Sequence, residues 1–266
     1  LCFGDVQGEA WPSNASAQMC TLRMPRSKSA LTMTLSAIAA NMSRSGELWV
    51  YGANDEGIRS IGRYLPPYFS DAHTVLTKRH CRVWRARRTE LPVKKPALHD
   101  WREHVDTSAL VFKKSWVSYP GLFASGHLDE ATGLLLEMLE CMPEPKESAL
   151  DFACGTGFLA GAMTARWPGT DIYASDADAL AIAAAKENIP RALFHLADGL
   201  IRIPYRRYGM IVSNPPIHFG KDEDHEILSE LITGAPERLL KGGKLIMVVQ
   251  REIPLNAVLR DNFRQV

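Results

Sequence analysis

The chain has 266 residues, 46% hydrophobic and 23% charged, with 19 Gly and 16 Pro; this balance excludes a disordered, collagenous or coiled-coil protein and suffices for one or two cores. Its longest suspicious uncharged stretch, Ser29 to Ser43, is 15 residues long and broken by Ser, Thr and Asn, too short for a bilayer crossing of ~20 residues. The formal net charge of +1 conceals a division: residues 1–115 hold 17 Lys/Arg against 10 Asp/Glu, and residues 116–266 hold 14 against 20. A basic half therefore precedes an acidic one, and the basic half has the field to attract a polyanion.

In chain order, periodicity predicts a strand at Gln18–Met24, a helix at Ser29–Met42, a strand at Glu47–Tyr51, a helix at Glu56–Tyr64, and strands at Thr74–Thr77 and Cys81–Ala86. This rhythm reads as a degenerate α/β copy of the architecture in the second half. Pro92, Lys94, Lys95 and Pro96, with the polar stretch to Lys114, form the link, giving domains at 1–114 and 115–266. Beyond it come a helix at Leu128–Met142 and a turn at Pro143–Pro145. Strands at Ser148–Phe152, Asp171–Ala174, Ala192–Leu196, Gly209–Ser213 and Lys244–Val249 then alternate with helices at Phe158–Trp167, Asp178–Asn188, His225–Leu240 and Leu255–Phe263. Alternation of this kind predicts a Rossmann-like, doubly wound parallel α/β sheet. Val266 falls about where a sixth strand would begin, which leaves the fifth as an edge. The five cysteines are odd in number and no two lie two to four residues apart, so neither a zinc site nor a disulfide framework is expected, and a reducing, cytoplasmic setting fits.

Asp151-Phe152-Ala153-Cys154-Gly155-Thr156-Gly157 follows one predicted strand and opens a helix. Gly155 and Gly157 permit a sharp turn and close approach of the backbone to a ligand, although a plain turn before a buried helix would look the same. Asp176, 21 residues after Gly155 and next to Ala177, ends the following strand, where a carboxylate can accept both hydroxyl hydrogens of a ribose. Asp178 is better placed than Asp176 to cap the next helix. Asp198-Gly199 ends a third strand and suits an adenine amino group. The third glycine of a dinucleotide fingerprint and the Gly-Lys-Ser/Thr of a phosphate loop are both missing. Asp151 would repel a pyrophosphate but would suit the sulfonium and ammonium groups of S-adenosylmethionine, which makes methyl transfer the expected chemistry.

The fourth strand of this half ends in Ser213-Asn214-Pro215-Pro216-Ile217-His218. Two prolines remove two N–H groups and stiffen the loop, so the Asn214 amide and neighbouring carbonyls form a rim of acceptors for an exocyclic amine. From about Glu47 onward, the sequence resembles class I methyltransferases that modify nitrogen through an Asn-Pro-Pro-aromatic motif. It is most similar to the bacterial small-subunit ribosomal RNA guanine-N2 methyltransferases, which join a degenerate N-terminal methyltransferase-like domain to an active C-terminal one. The likeness is carried by Tyr119-Pro120-Gly121-Leu122-Phe123, Leu128-Asp129, Leu134-Leu135-Leu136, Ser213 to Pro216 with His218 and Gly220, and Lys241-Gly242-Gly243-Lys244-Leu245. In the first half it is carried by Leu48-Trp49-Val50-Tyr51-Gly52 through Asp55, Gly57 and Ile58.

The resemblance implies S-adenosylmethionine as donor, a guanine N2 amine as acceptor, ribosomal RNA or the small subunit as partner and no metal; it leaves the oligomeric state open, with a monomer compatible. It assigns catalysis to Asn214, Pro215 and Pro216, and cofactor binding to Phe123, Asp151, Ala153, Cys154, Gly155, Gly157, Asp176, Ala177, Asp198, Gly199 and Asn214. Where the family carries an aromatic ring after the prolines this chain has Ile217, so His218 or Phe219 would have to supply the stacking surface. Lys78, Arg79, Arg82, Arg85, Arg87 and Arg88 place six cations within eleven residues, with His80 and Trp84 between them. Arg82, Arg85, Arg87 and Arg88 are candidate RNA contacts, against the plainer reading of a solvated face. Trp116, Tyr119 and Phe123 either line the cofactor lid, stack a base or pack a hinge. Similar motifs serve methyltransferases of DNA adenine and of protein glutamine. A non-catalytic RNA-binding assembly factor that keeps the fold is a further rival, although intact Asp176, Asp198 and Asn214 argue against it.

Overall fold

The computed structural model describes residues 8–12, 16–107, 115–123, 128–215 and 222–266, with the backbone alone at 222–226. Pro216, Ile217, His218 and Phe219 therefore lie outside the described residues. Two compact units result: Trp11–Glu103 with Tyr119–Gly121 form one, and the other is built chiefly from Leu122–Val266.

The N-terminal unit contains β1 (Ala17–Arg23), α1 (Lys28–Asn41), β2 (Met42–Ala53), a 3-10 turn at Ile58–Arg63, β3 (Phe69–Lys78) and β4 (Cys81–Arg88). Ser27 starts α1 by accepting a hydrogen bond from the Ala30 N–H at 3.3 Å, and Leu31, Leu35 and Ala39 then pack on Leu48, Val50 and Ala86 of the sheet. The strand order is β1-β2-β4-β3. β1 and β2 run parallel across α1, whereas β4 pairs antiparallel with both β2 and β3. The copy of the C-terminal architecture thus extends only through one strand-helix-strand unit. A hairpin turning at Arg79 and His80, with φ of 47° and 64°, replaces the rest. The helix expected at Glu56–Tyr64 shrinks to a 3-10 turn that contains Gly62; Gly57, at φ 88°, starts it without a side-chain cap.

In the second unit β5 (Glu103–Val105) pairs with β6 (Trp116–Ser118) in a two-stranded ribbon. There follow α2 (Glu130–Cys141), β7 (Ser148–Phe152), α3 (Phe158–Arg166), β8 (Asp171–Asp176), α4 (Ala179–Asn188), β9 (Leu193–Leu196), β10 (Tyr208–Ser213), α5 (Asp222–Arg238), β11 (Leu239–Met247) and α6 (Asn256–Asn262). The five strands β11-β10-β7-β8-β9 are all parallel. Every residue of β7 and β10 is buried, as central strands covered on both faces require. Leu135, Leu159, Met163 and Ile182 pack one face, and Leu231, Ala235 and Leu239 the other. Strand order reverses between β7 and β10, and the crevice outside their carboxyl ends is where such sheets hold ligands. β11 starts earlier than expected because its ladder continues past Gly242 (φ 79°) through a register shift. Among the described residues no helix is long and apolar enough to cross a membrane.

Candidate active site

A cavity of about 590 Å³ opens at the carboxyl edge of the parallel sheet, walled by the residues after β7, β8, β9 and β10. The turn after β7 is closed by the Cys154 N–H donating to the Ser175 carbonyl at 2.9 Å and the Gly157 N–H donating to the Cys154 carbonyl at 2.8 Å. Gly155 has φ 53°, and a Cβ built there would meet nothing within 4 Å, so its backbone faces open pocket space. Ala153, Cys154 and Thr156 share this wall. Burial pushes the Cys154 thiol well above its ordinary pKa, so its sulfur lines the cavity as a small apolar surface rather than as a nucleophile.

Two sequence expectations change here. Gly157 does not line the cavity: at φ 91° its missing Cβ would lie 2.6 Å from Ile189 Cδ1, so it lets the loop settle on α4. Asp151 does not reach the cavity wall either. Its carboxyl is wholly buried, and Oδ2 accepts from the Ala160 N–H at 2.9 Å, tying β7 to the first turn of α3. Burial pushes its pKa up to about 8, so near neutrality this acid holds its proton and does not present a standing anion to a cation. Asp151 Oδ1 and the hydroxyl of Ser175, which lines the pocket, have no protein partner. The unpartnered Ser175 hydroxyl on the wall beside the open glycine turn fits a site completed by a bound polar group.

Asp176 stands where the sequence put it. Its Oδ2 accepts from the Gly155 N–H and its Oδ1 from the Asp178 N–H, both at 2.8 Å. A carboxylate has about four lone-pair sites, so both oxygens keep capacity for ribose hydroxyls. Burial raises the Asp176 pKa while these backbone donors oppose the rise. Asp178 caps α4 by accepting from the Leu180 N–H at 2.8 Å. Ala177, exposed Asp198 and Gly199 complete that end of the cavity. The three aromatic candidates separate by role. Phe123, 61% exposed, is on the wall; Trp116 and Tyr119 are buried packing residues. Trp116 stacks on Phe158 at 4.9 Å and donates its indole N–H to Thr156 Oγ1 at 3.1 Å.

Asn214, at the end of β10, is held by two residues that sequence reasoning missed. Its Nδ2 donates to Asp129 Oδ2 and to Thr132 Oγ1, each at 2.9 Å. An ionised carboxylate can only accept, so the amide nitrogen has to face Asp129. Both amide hydrogens are then engaged, and Asn214 offers an incoming group only its Oδ1, an acceptor. Asp129 Oδ2 also caps α2 by accepting from the Thr132 N–H at 3.1 Å; the sequence offered this Asp-x-x-Thr cap and the Leu128-Asp129 likeness, but neither pointed to Asn214. Pro215 is buried and lines the cavity beside Asn214.

The basic run splits apart. Arg88 is 7% exposed and donates to the carbonyls of Ala39, Tyr68, Thr89 and Leu91, which corrects its assignment as an RNA contact: it is a structural clasp. Alternation along β4 is the reason, since Arg88 shares the core face with Ala86. Arg85 pairs with Glu47, holding that carboxyl below its ordinary range, and lies 5.8 Å over the Trp49 ring. Arg82 donates to Asn54 Oδ1 at 3.2 Å, and Arg87 is exposed.

Comparison with known proteins matches residues 114–266 to the methyltransferase small domain and residues 5–105 to the methyltransferase small domain N-terminal family. The ribosomal RNA small subunit methyltransferase C of Idiomarina loihiensis is 30% identical over 258 residues, covering 95% of this chain and 75% of that protein. Its namesake from Pseudomonas aeruginosa (strain LESB58) is 31% identical over 243 residues, covering 90% of this chain and 70% of that protein. The chain belongs to this ribosomal RNA small subunit methyltransferase C family. Among solved structures, the T. thermophilus 16S rRNA N2 G1207 methyltransferase (RsmC), in complex with AdoMet and guanosine, is similar in fold to this methyltransferase. The TM-score is 0.79 at 22% identity, over 96% of this chain and 71% of that one.

Proposed function

We propose that the enzyme transfers a methyl group from S-adenosylmethionine to the exocyclic N2 amine of a guanine in small-subunit ribosomal RNA, acting in the cytoplasm. The observation that carries this reading is the fixed amide of Asn214, both of its hydrogens engaged, on the wall of a cavity that also holds Gly155, Asp176 and Asp198. S-adenosylmethionine, when bound, supplies a methyl group already activated by its sulfonium. Asp176 holds the ribose and Asp198 the adenine amino group, while Phe123 covers the mouth and limits water. A guanine amine is a poor nucleophile because its lone pair is delocalised into the ring. Donation of its hydrogens to Asn214 Oδ1 and the Pro215 carbonyl localises that pair and aims it, which is positioning rather than base catalysis. The methylated amine is acidic and releases its proton afterwards without a dedicated base. Asp129 and Thr132 act through Asn214 as positioning residues.

An adenine or glutamine amide would also meet an acceptor here, but the ribosomal RNA methyltransferases among the relatives favour ribosomal RNA. The deciding experiment supplies methyl-labelled S-adenosylmethionine with naked 16S rRNA, small subunits, DNA and bulk protein in separate reactions. Label in RNA, recovered as N2-methylguanosine, is expected. Label in DNA or protein, or none with any substrate and no heat of cofactor binding, overturns the reading in favour of its rivals.

A further inference from the structure

We propose that the open face of the N-terminal sheet is a stacking platform for unpaired bases of RNA, with Tyr51 and Trp49 as its rings. Side chains alternate along β2: Leu48 and Val50 point into the core under α1, so Trp49 and Tyr51 share the opposite face. Strand pairing sets Trp49 beside Arg85 and Tyr51 beside Val83 on that face, with Met19 opposite Glu47 on the other flank. Tyr51 is 47% exposed, Met19 64% and Leu76, paired with Val83, 54%, an accumulation of surface apolar area that a solvated sheet does not need.

The chemistry around the rings identifies the occupant. Residues 11–103 hold 15 Lys/Arg against 7 Asp/Glu, and exposed Arg87, Lys78 and Arg79 flank the rings, so the surface suits a polyanion. A polyanion alone would not need the rings. Trp49 is pre-set for stacking: Glu47 Oε2 accepts its indole N–H at 3.2 Å, and the Arg85 guanidinium lies over its ring. The two rings stand two residues apart on one strand, roughly 7 Å, which gives each base its own surface. Bases within an A-form duplex keep their faces covered by neighbours, so the platform selects single-stranded segments. It therefore contributes to RNA binding through base faces, where exposed Lys78, Arg79 and Arg87 contribute through charge. The choice of RNA as partner rests on the proposed methyl transfer to RNA.

The test measures binding of the full chain to a fluorescently labelled 12-nucleotide single-stranded RNA, to the same RNA in a duplex, and to heparin, a polyanion without bases. Tyr51→Thr and Trp49→Thr keep β-branched residues in the strand. Each is expected to weaken single-strand binding about 10-fold while heparin affinity and melting temperature hold; Tyr51→Phe stays within about 2-fold of the parent because its ring remains. Unchanged single-strand affinity in both threonine variants, equal losses for heparin and RNA, or equal affinity of the parent for duplex and single strand would each overturn the platform. Methylation of 16S rRNA by the parent chain is read in parallel. A parent that methylates RNA yet binds it without regard to Tyr51 and Trp49 sinks the platform alone, and a parent that methylates no RNA sinks the proposed activity whatever the binding result.

Discussion

The two sheets begin alike and end with opposite capacities. Both start with parallel strands joined by a crossover helix, β1-α1-β2 and β7-α3-β8, but only the second continues in one direction through five strands. Its carboxyl ends therefore gather Gly155, Asp176, Asp198 and Asn214 around one hollow. In the first sheet β4 runs backward and sends its carboxyl end elsewhere. Beyond β1, Met24 is 7% exposed and packs beside Gly52, where an added Cβ would lie 2.8 Å from Met24 Cβ. Strand direction decides whether loop residues can meet, and side-chain volume decides whether anything can enter.

Five experiments put that contrast at risk. Asn214→Ala is expected to lower kcat by roughly 10³-fold and leave the cofactor Kd within about 3-fold, by single-turnover assay and calorimetry; joint loss of both would mean the hollow had collapsed. On the other sheet, Arg88→Met should cost about 2–4 kcal/mol in urea unfolding, because it strips the donors from several buried carbonyls, while Arg87→Met stays within about 0.5 kcal/mol. Asp176→Ala should raise the cofactor Kd about 10- to 100-fold with little change in kcat at saturation. An unaltered Kd would remove Asp176 from ribose binding.

The fourth experiment uses pH. The Asp151 pKa is raised from 3.8 in the unfolded chain to about 8 in the fold. Its protonated form stabilises the fold fully below pH 4, and that contribution is lost as pH rises toward 8, by about 1 kcal/mol per unit, then levels off. Asp151→Asn should flatten this part of the stability profile, measured without cofactor by denaturant melts across pH 4 to 9; a parallel slope in the variant would assign it to other groups. The smallest effect is expected from Thr132→Val, about a 10-fold fall in kcat with KM for RNA unchanged, restored by Thr132→Ser. Equal changes in kcat and KM would make Thr132 a packing residue only.

The sequence was most legible where strands are short and buried on both faces. The run Ser148–Phe152 is β7 to the residue, and Gly209–Ser213 misses β10 by one, because a short, largely apolar run between turn residues has few alternatives. Glu56–Tyr64 failed as a helix because so short a segment, with Gly57 at its start and Gly62 inside it, cannot recover the nucleation cost. In the site, residues contributed by backbone position, Gly155 and Asp176, were readable from spacing. Asp151 was readable as a loop acid but not as a buried one, since its depth depends on α3 packing over it. Asp129 and Thr132 reach Asn214 across more than eighty residues of sequence, and no local pattern records such a meeting. Arg88 shows the same limit in reverse: composition counts its charge, and only strand alternation reveals that it points inward.

Met24 carries a longer consequence. Removing a buried methionine typically forfeits 2–5 kcal/mol, so making room for a ligand beside Gly52 at the expense of Met24 would cost much of a domain's margin before any ligand arrived. Substitutions at the exposed hairpin tip, where Arg79 and His80 lie in solvent, carry no such cost.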